Sequence, residues 1–240
     1  MNGRALELQR SKAVFKGDNI EDYCEHHKWD ALESLESIAT VTSYGFHQEI
    51  SSGDETGYWY RVVEGAAKRC ATQPDGRRQI VNLLLPGDFF GLVVASGSDL
   101  TVEALVDETQ IARYPRRRVE ALADVDPAVA RLLREIAFGA ISRLEAQLLI
   151  VGRVTALEKV AAFLLEMGER LPFETDDRIA LPISRSDIAE FLAISAETVS
   201  RSLSGLKQRG LIRFSGTRQV RIVDREAIED GGRTCRMSRS

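Results

Sequence analysis

The sequence predicts an α+β chain in three consecutive parts: a β-barrel, one long amphipathic helix, and a helical unit that closes with a hairpin. Three observations carry this. From about Thr40 to Pro115, short apolar runs are punctuated by glycine-containing turns. Beyond Asp126, apolar residues recur at steps of three or four. After Ser184, two short helical patterns flank a brief turn, and alternating apolar and basic residues follow.

The composition is that of an ordinary folded protein. Of 240 residues, 44% are hydrophobic and 28% charged, with 36 acidic and 32 basic side chains giving a net charge of −4. That apolar content is too high for general disorder. No window approaches the roughly 18 uncharged apolar residues that a spanning helix requires. Residues 1–27 are polar, lack the apolar core of a secretory signal, and read as an arm. Cys24, Cys70 and Cys235 are few, odd in number and far apart, so no disulfide framework and a reducing cytoplasm are expected.

The barrel is expected over residues 28–122. Its turns are Ser52-Gly53-Asp54, Glu64-Gly65, Pro74-Asp75-Gly76, Pro86-Gly87-Asp88 and Ser96-Gly97-Ser98. Between them lie strand-like pieces such as Tyr58–Val63 and Ile80–Leu85. Evenly spaced short strands with this punctuation indicate a sandwich or barrel, and glycine supplies positive φ without steric cost.

The long helix is placed at 123–152, opening near Asp126-Pro127, with proline in the first turn. Its stripe comprises Val129, Leu133, Ile136, Ala140, Leu144, Leu148 and Val151. A helix lying only on its own domain would explain part of such a stripe. Its length favours a dimer seam formed by Leu133, Ile136, Ala140, Leu144, Leu148 and Val151. A second amphipathic helix follows over about 156–169.

The segment 153–228 carries the function. Ser184 with Asp187 three residues later resembles an N-cap with an acid in the first turn. One helix would end near Ala193, and Ser195 would cap the next, whose buried face is Val199, Leu203 and Leu206. Two helices joined by so short a turn form a helix-turn-helix, whose second helix enters the major groove with its first residues. Here those are Ala196, Glu197, Ser200 and Arg201. Glutamate can accept from a cytosine amino group, and arginine can donate twice to guanine. Glu197 and Arg201 could equally form a solvated i,i+4 pair. The surrounding charge favours DNA: from Ser184 to Arg225 there are eight basic and four acidic residues, 8 − 4 = +4 within a chain of −4. Residues Gly210–Phe214 and Gln219–Val223 read as a two-stranded hairpin, making the unit a winged helix with Arg218 near the wing tip. Residues 229–240 form a polar tail.

Together these features resemble the cyclic-AMP receptor/Fnr superfamily of bacterial transcription regulators, over roughly residues 30–228. The most specific pieces are Asp75-Gly76-Arg77, Pro86-Gly87-Asp88-Phe89-Phe90-Gly91 and Glu197-Thr198-Val199-Ser200-Arg201. The resemblance implies a cyclic-nucleotide-binding-like jelly roll, a dimerisation helix and a winged helix-turn-helix. The Glu-x-x-Ser-Arg spacing is similar to the Fnr and FixK branches, which read TTGA-type half-sites. By that match Glu197, Ser200 and Arg201 read bases, while Ser184, Arg185 and Thr198 meet the DNA backbone.

The departures bear on regulation. Nucleotide-binding members follow the glycine loop with a glutamate for the ribose and later an Arg-Ser pair for the phosphate. This chain has Leu92 after Gly91, and no Arg-Ser pair lies nearby, so a buried phosphate would lack its charged partner. Oxygen-sensing relatives hold an iron–sulfur cluster on an N-terminal cysteine set, whereas only Cys24 is present in that region. Cys24-Glu25-His26-His27 lacks the spaced pairs of a metal site, and His47 stands alone as a candidate haem ligand. Neither cofactor nor metal is therefore expected. The reading is a homodimeric activator on TTGA-N6-TCAA-like palindromes, without an obligatory cyclic nucleotide. Its partners are double-stranded DNA and RNA polymerase, with no membrane. The alternative is a sensor whose barrel binds an unidentified small effector. No nucleophilic triad, zinc-hydrolase motif or phosphate loop points to an enzyme.

Overall fold

The computed structural model describes residues 29–52, 57–73, 75–92, 100–171, 178–216 and 218–229. The expected N-terminal arm, and the tail beyond Glu229, lie outside these residues. Helix α1 covers 29–36. Eight strands follow: β1 (Thr40–Tyr44), β2 (Glu49–Ser52), β3 (Tyr58–Glu64), β4 (Ala67–Thr72), β5 (Arg78–Leu84), β6 (Phe89–Phe90), β7 (Leu100–Ala104) and β8 (Thr109–Pro115). They form two antiparallel four-stranded sheets, ordered β1-β8-β3-β6 and β2-β7-β4-β5.

Period-two alternation gives each sheet two faces, and apolar clusters form between the sheets and outside each of them. Ile50, Tyr60, Val62, Ala67, Leu84, Phe90, Val102, Ala104 and Ile111 meet between the sheets. Outside the first sheet, Phe89, Ala112 and Tyr114 pack with Ala31 and Leu35 of α1 and with the helices that follow β8. Outside the second, Cys70, Ile80 and Leu83 join the core of the C-terminal unit, so one apolar cluster crosses the domain boundary. The β3–β4 turn shows why glycine punctuates this part. Gly65 has φ +85°, and a Cβ there would lie 2.9 Å from the Thr109 Cα.

The stretch after β8 starts the long helix where the sequence predicts, at Asp126-Pro127, and corrects the bound placed at 123. Arg116–Val125 forms its own helix, α2, and the long helix α3 runs Pro127–Val151. Asp126 between them is extended, the conformation that a following proline imposes, and its carboxylate caps α3 by accepting from the Ala128 amide at 2.8 Å. Residues 123–125 thus belong to α2.

Helix α4 (Ala156–Arg170) opens with a reciprocal capping box between Thr155 and Glu158. Then come β9 (Arg178–Ala180), α5 (Arg185–Leu192), α6 (Ala196–Gln208), β10 (Ile212–Ser215), β11 (Gln219–Ile222) and α7 (Arg225–Glu229). The hairpin is one strand larger than expected. β9 pairs with β11 through Ala180–Gln219, Ile179–Val220 and Arg178–Arg221, giving a three-stranded sheet.

Polar bonds reinforce the apolar contact between barrel and C-terminal unit. Lys68 of β4 donates to Asp187 Oδ1 at 2.7 Å, and Gln79 of β5 donates to the carbonyls of Glu190 and Phe191. Asp88, in the β5–β6 turn, receives Arg170 from α4 and lies 3.3 Å from Arg143 of α3.

Candidate nucleic-acid interface

The interface is built from two capped helix starts. At α5, Ser184 Oγ accepts from the Asp187 amide at 3.1 Å, while Asp187 Oδ2 accepts from Ser184 N at 3.0 Å and from Ser184 Oγ at 2.6 Å. The helix stops at Ala193, which takes a left-handed conformation with φ 53°. Ser195 then caps α6, accepting from the Thr198 amide at 3.1 Å with its oxygen 2.8 Å from Thr198 Oγ1. Val199, Leu203 and Leu206 turn inward against Ile188, Phe191 and Leu192. Helical periodicity then sends Ala196, Glu197 and Arg201 outward, with Ser200 and Thr198 half-buried at the edge.

Glu197 and Arg201 bond to each other at 2.5 Å, with side chains 72% and 78% exposed. Such a pair is held weakly, so both groups can exchange each other for base edges at little cost. Arg185 reaches across the helix turn to Ser200 Oγ at 3.4 Å, joining a backbone-contact candidate to a base-reading one. Arg218 is exposed at the β10–β11 turn, and its carbonyl accepts from the Leu181 amide at 3.0 Å. Arg225, counted in the basic excess, is bonded to Glu169 and Glu229 and so belongs to a local ion network.

The Asp187 carboxyl is subject to opposing influences. Burial raises its pKa, but bonds from Lys68 and Ser184 outweigh burial and hold it below the ordinary aspartate value. The sequence reading used Asp187 only as a cap. Lys68 was missed altogether, because a lone lysine between strand residues gives no local sign of a partner 119 positions away.

The stripe on α3 divides. Leu133 and Ile136 pack with the cluster over the first sheet, beside buried Val129 and Leu132. Ala140 and Val151 are half-buried. Leu144 and Leu148 are exposed, together with Phe138, Ile141 and Leu149, which the stripe had omitted. Periodicity identifies an apolar face but not what covers it. The first turns of α3 rest on the chain's own barrel side, and beyond them the open apolar face is rotated towards Phe138, Ile141 and Leu148.

Inside the barrel, the Tyr60 and Phe90 rings stack at 4.9 Å and occupy the space between the sheets with Val62, Leu84 and Ile111. Leu92 packs on the outer cluster instead of facing inward. The described inner face is therefore filled largely by apolar side chains. One cation does enter, since Arg69 pairs in register with inward-facing Val102 and burial lowers its pKa. His47 is exposed, with its ring tilted against Phe46 at 3.9 Å between centroids. The Cys24–His27 segment, Cys235 and residues 93–99 lie outside the described residues. Among the described residues, no helix is long and apolar enough to cross a membrane.

Comparison with known proteins agrees with this architecture. A Crp-like helix-turn-helix domain model matches residues 158–230, and a cyclic nucleotide-binding domain model matches residues 50–126. The chain is 35% identical over 196 residues to the nitrogen fixation regulation protein FixK of Azorhizobium caulinodans, covering 80% of this chain and 79% of that protein. It is 32% identical over 217 residues to the transcriptional activator protein FnrL of Cereibacter sphaeroides, covering 87% of each. The solved structure of FixK2 from Bradyrhizobium japonicum superposes with a TM-score of 0.72 at 42% identity, covering 80% of this chain and 96% of that one.

Proposed function

This chain belongs to the Crp/Fnr family of transcription regulators, in its FixK-like branch, and from that premise we propose that it acts as a homodimer on an inverted repeat of the TTGA-N6-TCAA kind. It is a DNA-binding transcription activator. The observation that carries the proposal is the capped start of α6, from which Ala196, Glu197, Ser200 and Arg201 reach the surface together. Glu197, Ser200 and Arg201 read bases; Ser184, Arg185, Thr198 and Arg218 meet phosphates. Two-fold symmetry then requires inverted half-sites about one helical turn apart.

The second copy is held through α3. Phe138, Ile141, Leu144, Leu148 and Leu149 are each more than half exposed in the single chain, an apolar area that a coiled-coil partner would remove from water. RNA polymerase is the further partner an activator requires, the cytoplasm is where these partners meet, and no catalytic step is involved.

A titration at fixed salt tests the reading, using full-length protein with the TTGA-N6-TCAA duplex and a scrambled duplex, each with and without cyclic AMP. Tight, selective binding that ignores the nucleotide is expected; selectivity only with the nucleotide overturns the effector-free part. Leu148→Asp should give monomers in sedimentation and weaken specific binding by about a hundredfold or more, since two linked half-site contacts become single ones. A dimeric Leu148→Asp protein with native affinity would remove α3 as the seam.

A second reading is favoured by Arg69. A barrel that places a guanidinium on its inner face could receive a small anionic effector. In that case DNA affinity would rise on adding the effector and lose that response in Arg69→Met.

A further inference from the structure

Lys68 is the feature that neither the fold nor the DNA-reading face requires. It is only 4% exposed, on a strand whose neighbours already supply an apolar contact with the C-terminal unit. A buried ammonium is costly unless paired, and replacing such a pair by apolar side chains is often neutral or better for stability. Holding two domains together does not therefore explain a charge at this position.

Its partner suggests a different role. Asp187 stands in the first turn of α5, beside the Ser184 and Arg185 groups assigned to the DNA backbone. An aspartate there would repel an incoming phosphate, because like charges in a partly desolvated contact oppose binding. Lys68 approaches from the barrel side and takes Oδ1 at 2.7 Å, leaving Oδ2 to hold Ser184 N and Oγ. Glu103 is a second, more distant anion for Lys68 at 4.0 Å. At the other end of the same helix, Gln79 donates to the last carbonyls. The barrel thus grips α5 at both termini and neutralises the anion in its first turn.

We propose that Lys68 is a positioning residue for DNA binding: by neutralising and orienting Asp187, it lets the first turn of α5, from the Ser184 cap through Arg185, receive a DNA phosphate, so the barrel contributes to DNA affinity without touching DNA. This rests on the reading of Ser184 as a backbone contact.

The test is a double-mutant cycle on full-length protein, with duplex affinity measured at fixed salt and well below each variant's unfolding midpoint. Lys68→Met should weaken specific binding roughly tenfold, the order expected for one charge-assisted phosphate contact. Asp187→Asn keeps an acceptor for Ser184 but removes the charge, so Lys68→Met/Asp187→Asn should regain most of the lost affinity. Should Lys68→Met fail to fold, Lys68→Gln supplies a neutral donor and should lose affinity in the same direction. Native affinity in the Lys68 variants, or a loss that Asp187→Asn leaves unrepaired, overturns the inference. Ser184→Ala separates the two levels. Native affinity in Ser184→Ala removes the backbone reading and the inference with it. Weakened Ser184→Ala beside a native Lys68 variant removes the inference alone.

Discussion

Two ion pairs that involve the C-terminal unit have nearly the same length and opposite character. Arg201 and Glu197 meet at 2.5 Å with side chains 78% and 72% exposed, while Lys68 and Asp187 meet at 2.7 Å with side chains 5% and 11% exposed. The first joins positions four apart on one helix; the second joins a barrel strand to the start of α5. Water solvates both partners of the exposed pair, so opening it costs little, and each group remains available to a base edge. The buried pair cannot be opened cheaply, because either partner left alone keeps its desolvation penalty. Distance alone therefore does not distinguish a reading group from a holding group. Exposure does.

Removing one partner from each pair should separate the two roles. Asp187→Ala is expected to produce the largest effect, a loss of about 3 kcal/mol in chemical denaturation. That figure is at the low end for a broken buried pair, because Glu103 remains as a second anion for Lys68. The lost cap at Ser184 is included in it. A stability change below the scatter of the measurement would make the junction no stronger than a surface pair. Arg201→Ala should do the reverse, leaving the unfolding midpoint nearly unchanged while costing about 1–3 kcal/mol of specific DNA affinity and relaxing the preference for guanine. Equal losses on specific and scrambled duplexes would make Arg201 a phosphate contact.

The same contrast explains what could be read from the sequence. The exposed pair lies within one helix, and its residues, caps and spacing are local, so Glu197, Ser200, Arg201, Ser184 and Ser195 could be placed on their helices before any coordinates. The barrel was legible through its turns, and α3 through its period. What remained hidden depends on contacts across distance. Lys68 finds Asp187 through tertiary packing. Strand β9 is only three residues long and exists because β11 offers an edge to Ile179. Leu133 and Leu148 share one stripe in the sequence, yet one meets the barrel side and the other meets solvent. Helix α2 was divided between the barrel and the long helix, because its ten residues are too few for a period to stand out, although the break after it at Asp126-Pro127 was legible.

The smallest expected effects come from the acid profiles of two carboxylates, and their signs differ. Asp187 has its folded-state pKa lowered, so its stabilisation is complete above the ordinary aspartate value of about 3.9 and disappears as pH falls through the lower, folded value. Asp187→Asn should flatten that part of the acid-denaturation curve. Glu166 of α4 is the opposite case. Burial raises its pKa against the attraction of Arg170 at 3.3 Å, with Glu169 and Asp88 adding repulsion, and its Oε2 has no hydrogen-bond partner among the described residues. The folded state therefore holds the Glu166 proton more tightly than the unfolded chain does, and ionising it at neutral pH works against folding. Glu166→Gln should raise the unfolding midpoint slightly at pH 7. That advantage should shrink as the pH is lowered and the native glutamate takes up its own proton. A Glu166→Gln protein less stable than the native one at pH 7, with a gap that does not change with pH, would show that the charge on Glu166 serves the Arg170 contact more than burial opposes it.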